Sequence, residues 1–243
     1  MSNCCPPNTV RTIAEVNNYA YSISDSGVWV NLYGSNKLNT QLKDGSGIQL
    51  SQQSNYPWDG QVQITWEKTV SKPFSLYLRI PGWCKKATIK INGKAAAIPV
   101  KPEQYAVIHR NWSAGDVVTL ELDMPATLIE SHPMVEETRN QVAVKRGPVV
   151  YCLESADFPK GTEIFNIIMP AKNDLHPVKT KINDFGMMAL EGTAWLQKKN
   201  DWKEELYAEV NSERSTIKVK LIPYYAWSNR GAGDMTVWML LGR

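Results

Sequence analysis

The chain has 243 residues, of which 43% are hydrophobic, with 27 basic and 24 acidic side chains and a formal net charge of +3. That hydrophobic fraction can build real cores and argues against disorder, and the length suits two domains better than one. Charges of both signs are mixed along the chain, which leaves no footprint for nucleic acid; no apolar run approaches the roughly 18 residues that cross a bilayer, and Met1-Ser2-Asn3 opens no signal peptide.

In chain order, the first feature is Cys4-Cys5, followed at once by Pro6-Pro7-Asn8. Neighbouring cysteines rarely bridge to each other, because the backbone does not bring their sulfurs into disulfide geometry. Two thiols at the mouth of a helix are suited to gripping a soft metal or attacking a carbon. The bland alternative is a frayed terminus on which both thiols oxidise. Pro6 to about Tyr19 is the predicted helix, since prolines suit a first turn whose N–H groups lack helical partners. Val10, Ile13 and Ala14 give it an apolar stripe, which is expected to self-associate or to dock on the first β-domain.

Small and polar residues from Ser22 to Gly27 break that pattern, and everything after it reads as β. Residues 28–33, 48–51, 62–66, 75–80, 87–91, 105–109 and 117–122 are strand-like, with Asn92-Gly93 as a hairpin turn and Gly115-Asp116 as another. Pro125 to Pro133 reads as the passage to a second β-region. Its predicted strands are 142–145, 149–153, 164–169, 205–210, 216–222, 224–227 and 235–241. Short strands separated by turn residues predict two antiparallel, jelly-roll-like β-sandwiches preceded by one helix, with divisions at 1–21, 22–125 and 126–243.

Cys84 and Cys152 read as buried thiols. Trp29, Trp66, Trp83, Trp227 and Trp238 sit in strand contexts and are assigned to the core. Trp58, Trp112, Trp195 and Trp202, in polar or turn-like surroundings, are the better platforms for a sugar. His109, His132 and His176 are too scattered to share a metal. Glu136-Glu137 and Glu204-Glu205 would point to opposite faces of a strand, so they make poor acid–base pairs. Arg146-Gly147-Pro148 reads as a structural turn.

Four stretches taken together resemble one family: Cys4-Cys5-Pro6-Pro7-Asn8, Leu78-Arg79-Ile80-Pro81-Gly82-Trp83, the segment from Arg146 to Glu154, and the segment from Pro223 to Gly231. They are similar to the C-terminal portion of glycoside hydrolase family 127, the β-L-arabinofuranosidases, in the right order and nearly end to end. The resemblance implies an (α/α)6 barrel that carries the active site, followed by two β-sandwiches; residues 1–21 would be the last barrel helix, cut from its barrel. It implies retaining hydrolysis with Cys4 as nucleophile, and Cys4 and Cys5 as zinc ligands. A glutamate and a further cysteine of the barrel would complete the zinc site, and another barrel glutamate would act as acid/base. None of these can be matched here, so zinc is expected to be weakly held or absent in this chain and the chain alone inactive. The resemblance also implies an arabinose-containing glycan as partner, with the compartment open between bacterial cytoplasm and periplasm. The alternative from another class is a stand-alone carbohydrate-binding sandwich module.

Overall fold

The computed structural model describes residues 4–200 and 204–242. Two compact units meet between Met124 and Pro125.

The first unit opens with helix α1 (Cys5–Glu15), which runs into a single 3-10 turn at Val16–Tyr19. No residue of α1 is buried; Val10 and Ile13 are each 66% exposed. The expected docking of this helix onto the first β-domain is therefore not seen. The strands that follow are β1 (Tyr21–Ser24), β2 (Gly27–Val30), β3 (Asn36–Gln41), β4 (Gly47–Ser54), β5 (Gln61–Lys68), β6 (Phe74–Arg79), β7 (Ala87–Ile91), the short β8 (Lys94–Ala95) and β9 (Tyr105–Arg110). With β10 (Val117–Leu122) they form a four-stranded sheet, ordered β1-β2-β6-β9, and a six-stranded sheet, ordered β3-β4-β5-β10-β7-β8.

Period-two alternation explains the packing. On β5, Val62, Ile64 and Trp66 are buried while Gln61 and Gln63 are exposed. Val28, Val30, Leu76 and Leu78 face them from the smaller sheet. Each fully buried side chain of this size contributes roughly 1.5–3 kcal/mol. β2 and β6 run parallel, and at Gly27 they approach so closely that a Cβ would meet the Ser75 carbonyl oxygen at 1.9 Å. The Asn92-Gly93 turn has both residues at positive φ (50° and 76°) and joins β7 to β8. Its Asn92 amide also donates to Asp116 Oδ1 at 2.7 Å.

The second unit contains β11 (Ala126–Ile129), β12 (Gln141–Arg146), β13 (Val149–Glu154), β14 (Ile167–Pro170), β15 (His176–Ile182), β16 (Phe185–Gln197), β17 (Arg214–Pro223), β18 (Met235–Thr236) and β19 (Met239–Gly242). Pairing passes from β12 through β19, β14, β16, β17 and β13 and returns to β12, so the layers join at their edges. β14 and β19 are the parallel pair here. Val142, Val144, Tyr151, Leu153, Met169, Leu190 and Leu221 are among the side chains enclosed.

Several expected strands differ. Residues 205–210 form no strand, and Leu206, Tyr207 and Val210 are exposed, because no neighbouring strand pairs with them. Strand β14 begins at Ile167; Ile164–Asn166 is a 3-10 turn. Residues 224–226 form a 3-10 turn as well, after Pro223, whose missing N–H suits the end of a ladder. The β15–β16 hairpin and β3 are strands beyond those expected from sequence; β3 reads Asn-Lys-Leu-Asn-Thr-Gln, with one apolar residue.

Candidate functional site

Cys4 immediately precedes α1 and Cys5 opens it, both exposed. Cys4 already has helical dihedrals (φ −82°, ψ −34°), so its side chain does not cap the helix. Prolines occupy the first turn and bring no N–H groups. A thiolate here therefore has fewer backbone donors than an ordinary helix start offers, and depends more on charge neutralisation from elsewhere.

The two sulfurs lie 3.7 Å apart. Zinc held at about 2.3 Å by two thiolates places them about 3.8 Å apart along a tetrahedral edge. The pair thus fits two of four zinc positions. Among the described residues no group of three His, Cys, Asp or Glu side chains could hold a metal, so the remaining positions are not supplied.

The other thiols are of a different kind. Cys84 is buried and donates to the Lys86 carbonyl at 3.0 Å, and burial pushes its pKa up. Cys152 is buried; burial first, and the nearby Glu154 carboxylate second, push it up to about 12. Neither can act as a thiolate near neutral pH.

The histidines stay apart and are bonded locally. His109 Nδ1 lies 3.0 Å from Ser75 Oγ, His132 Nδ1 accepts from the Met134 N–H, and His176 Nδ1 lies 3.1 Å from the Asp174 carbonyl.

The tryptophans sort differently from the sequence expectation. Trp66 is in the core as expected. Trp112, expected as a platform, is 3% exposed; its Nε1 donates to the Phe74 carbonyl at 3.1 Å and its ring packs on Trp66. Trp227, expected in the core, is 40% exposed beside Tyr224, at 47%. The tight 3-10 turn after Pro223 swings these rings outward where a strand would have buried alternate residues. Trp29 is partly buried and stacks on Tyr77 with centroids 3.8 Å apart; its Nε1 donates to Ser24 Oγ. Trp58, Trp83, Trp195 and Trp238 are partly buried, and Trp202 lies outside the described residues.

Sequence reasoning missed a charged cluster under the Trp227 loop. The Arg230 guanidinium donates to Glu154 and to both Asp157 oxygens (2.7 and 2.5 Å), and the Ser228 N–H donates to Glu154 Oε1. Glu154 is 2% exposed. The Asp157 hydrogen bonds are the leading cause that holds the Arg230 pKa above its usual value. Separations of 73 and 76 residues left no local signal for this cluster. Arg146 is also buried, beside Tyr151. No described helix is long and apolar enough to cross a membrane.

Comparisons with known proteins place the whole chain. Residues 27–124 match the family described as "Beta-L-arabinofuranosidase, GH127 middle domain", and residues 126–240 match "Glycoside hydrolase family 127 C-terminal domain". A non-reducing end β-L-arabinofuranosidase of Bifidobacterium longum subsp. longum is 32% identical over 96% of this chain, which spans 36% of that protein's length. Among solved structures, one titled "Glycoside hydrolase" is 49% identical with a TM-score of 0.94, over 99% of this chain and 40% of its own. A GH127 β-L-arabinofuranosidase from Geobacillus stearothermophilus T6 is 37% identical with a TM-score of 0.90, over 98% of this chain and 37% of its own.

Proposed function

This chain belongs to glycoside hydrolase family 127, carrying its middle and C-terminal domains, and on that premise we propose that it serves retaining hydrolysis of L-arabinofuranosides with Cys4 as the nucleophile and Cys4 and Cys5 as zinc ligands. The β-region is accessory: helix α1, which precedes it, presents the thiols, while the acid/base and the remaining ligands come from a part of the family's enzymes that this chain does not match. Helix α1 is then the helix through which the two parts join.

The observation that carries this reading is the exposed thiol pair at 3.7 Å, a spacing that fits a shared tetrahedral metal. Bound zinc would supply positive charge that keeps a thiol deprotonated near neutral pH. In the first step the Cys4 sulfur forms a bond to the anomeric carbon as the glycosidic C–O bond breaks. The departing oxygen takes the electron pair and a proton from the acid. In the second, water attacks that carbon, gives a proton to the same group acting as base, and releases the thiolate. Cys5, one residue on, would serve as the second thiolate ligand to that metal.

The test is hydrolysis of an aryl β-L-arabinofuranoside, with zinc and reductant, by this chain and by a version extended N-terminally with the relatives' matching segment. The extended protein should be active, its Cys4→Ser variant inactive, and the present chain inactive. Turnover by the Cys4→Ser variant would sink the nucleophile assignment, and turnover by the present chain would sink the accessory role. The exposed stripe at Val10 and Ile13 further supports self-association of this chain through α1, which sedimentation velocity would detect.

A further inference from the structure

The outer surface of the first unit holds a cleft of about 430 Å³ at the turn end of β4 and β5, within the size range of small-molecule sites. Ser35, Gln53, Asn55, Asp59, Gln61 and Gln63 line it. Its frame is locked by local bonds. The Ser54 N–H donates to Ser35 Oγ at 3.1 Å, Ser54 Oγ donates to the Gln61 carbonyl at 2.9 Å, and the Gln61 N–H donates to Asp59 Oδ1 at 3.1 Å. Gln53 and Gln63 are directly paired across the two strands. The carboxamides of Gln53, Asn55, Gln61 and Gln63 have no side-chain hydrogen-bond partner among the described residues.

Four such carboxamides offer up to eight N–H donors and four carbonyl acceptors on one small surface. Exposed sheet faces ordinarily mix lysine with glutamate; here Asp59 is the one ionisable group of the lining. An anion would find no cation, a cation would find a lone carboxylate, and an apolar ligand would find no apolar wall. A neutral molecule bearing many hydroxyls finds a donor or an acceptor at every edge. We propose that this amide-lined cleft is a binding site for a neutral glycan, independent of the thiol pair. It goes beyond the hydrolytic reading and stands even if Cys4 proves inert.

The test uses the present chain, labelled with nitrogen-15, because the glutamine and asparagine NH2 signals report on the lining groups themselves. An L-arabinofuranosyl disaccharide and cellobiose are titrated, with galacturonic acid as the charged control. A neutral sugar should shift the NH2 signals saturably, with affinity in the millimolar range. The double variant Gln61→Ala/Gln63→Ala, at exposed positions, should weaken binding about tenfold or more while leaving the backbone spectrum elsewhere unchanged. Absence of saturable shifts at tens of millimolar for both neutral sugars overturns the proposal. So does binding that the double variant does not weaken, tighter binding of galacturonic acid, or shifts centred on Tyr224 and Trp227, which would assign the sugar to the exposed rings of the second unit.

Discussion

Helix α1 and the β-units differ most in what they bury and what they expose. The helix start presents two thiols with a metal-like spacing, yet no α1 residue is buried. The β-units bury dozens of apolar side chains and hold their own thiols in protonated, inaccessible positions. Apolar burial and the exposed thiol pair thus belong to different segments. A nucleophile must stay exposed and be completed by groups from elsewhere, while a core thiol is kept protonated by the burial that stabilises the fold.

The largest test of that contrast is core truncation. Trp66→Ala should cost roughly 3–5 kcal/mol in urea unfolding, whereas Val10→Ala should stay within about 0.5 kcal/mol. Comparable losses would mean that α1 is packed in solution, and the contrast would break.

A slightly smaller effect is expected at the charged cluster of the second unit. Arg230→Met leaves Glu154 and Asp157 buried without their cation, and should cost about 3 kcal/mol or more. Adding Glu154→Gln and Asp157→Asn should restore most of it, because neutral side chains carry no charge-desolvation penalty. Failure of that rescue would place the role of Arg230 in packing.

The thiols sharpen the contrast through pH. With a chromogenic disulfide at pH 8, Cys4 and Cys5 should react quickly and Cys84 and Cys152 on unfolding. Cys152 ionises near its usual 9 when unfolded but is pushed up to about 12 in the folded chain. The unfolded state then loses its proton first, so stability is full below pH 9 and falls as pH rises from 9 toward 12. Tyr21, pushed up to about 12 by burial, acts in the same direction. Urea midpoints at pH 8 and 10 should show the fall, and Cys152→Ala should make it shallower.

The smallest expected change is at the helix surface. Ile13→Asp should leave the unfolding midpoint within about 0.5 kcal/mol and yet shift sedimentation toward monomer. An unchanged sedimentation profile would exclude α1 as the contact.

Much of the fold was legible because its strongest signals are local. Alternation on β5 and β10, the Asn92-Gly93 turn and the prolines of the first helical turn each follow from a few neighbouring residues. The β15–β16 hairpin has no clear local signal, because Gly186, Met188 and Gly192 blur its alternation and its pairing with β17 depends on distant partners. Residues 205–210 had a strand's residue types but no partner. Trp112 and Trp227 exchanged roles for a related reason: burial depends on which element lies opposite, and no neighbouring residue states that.

By itself the sequence determined the β character, the thiol pair and the family, because periodicity, turn chemistry and ordered motifs are properties of short segments. Tertiary structure decided what long separations hide: the closed pairing of the second unit, the Arg230 cluster and the convergence of four carboxamides on one cleft. Bringing such groups together requires the long-range strand pairing that the folded chain alone supplies.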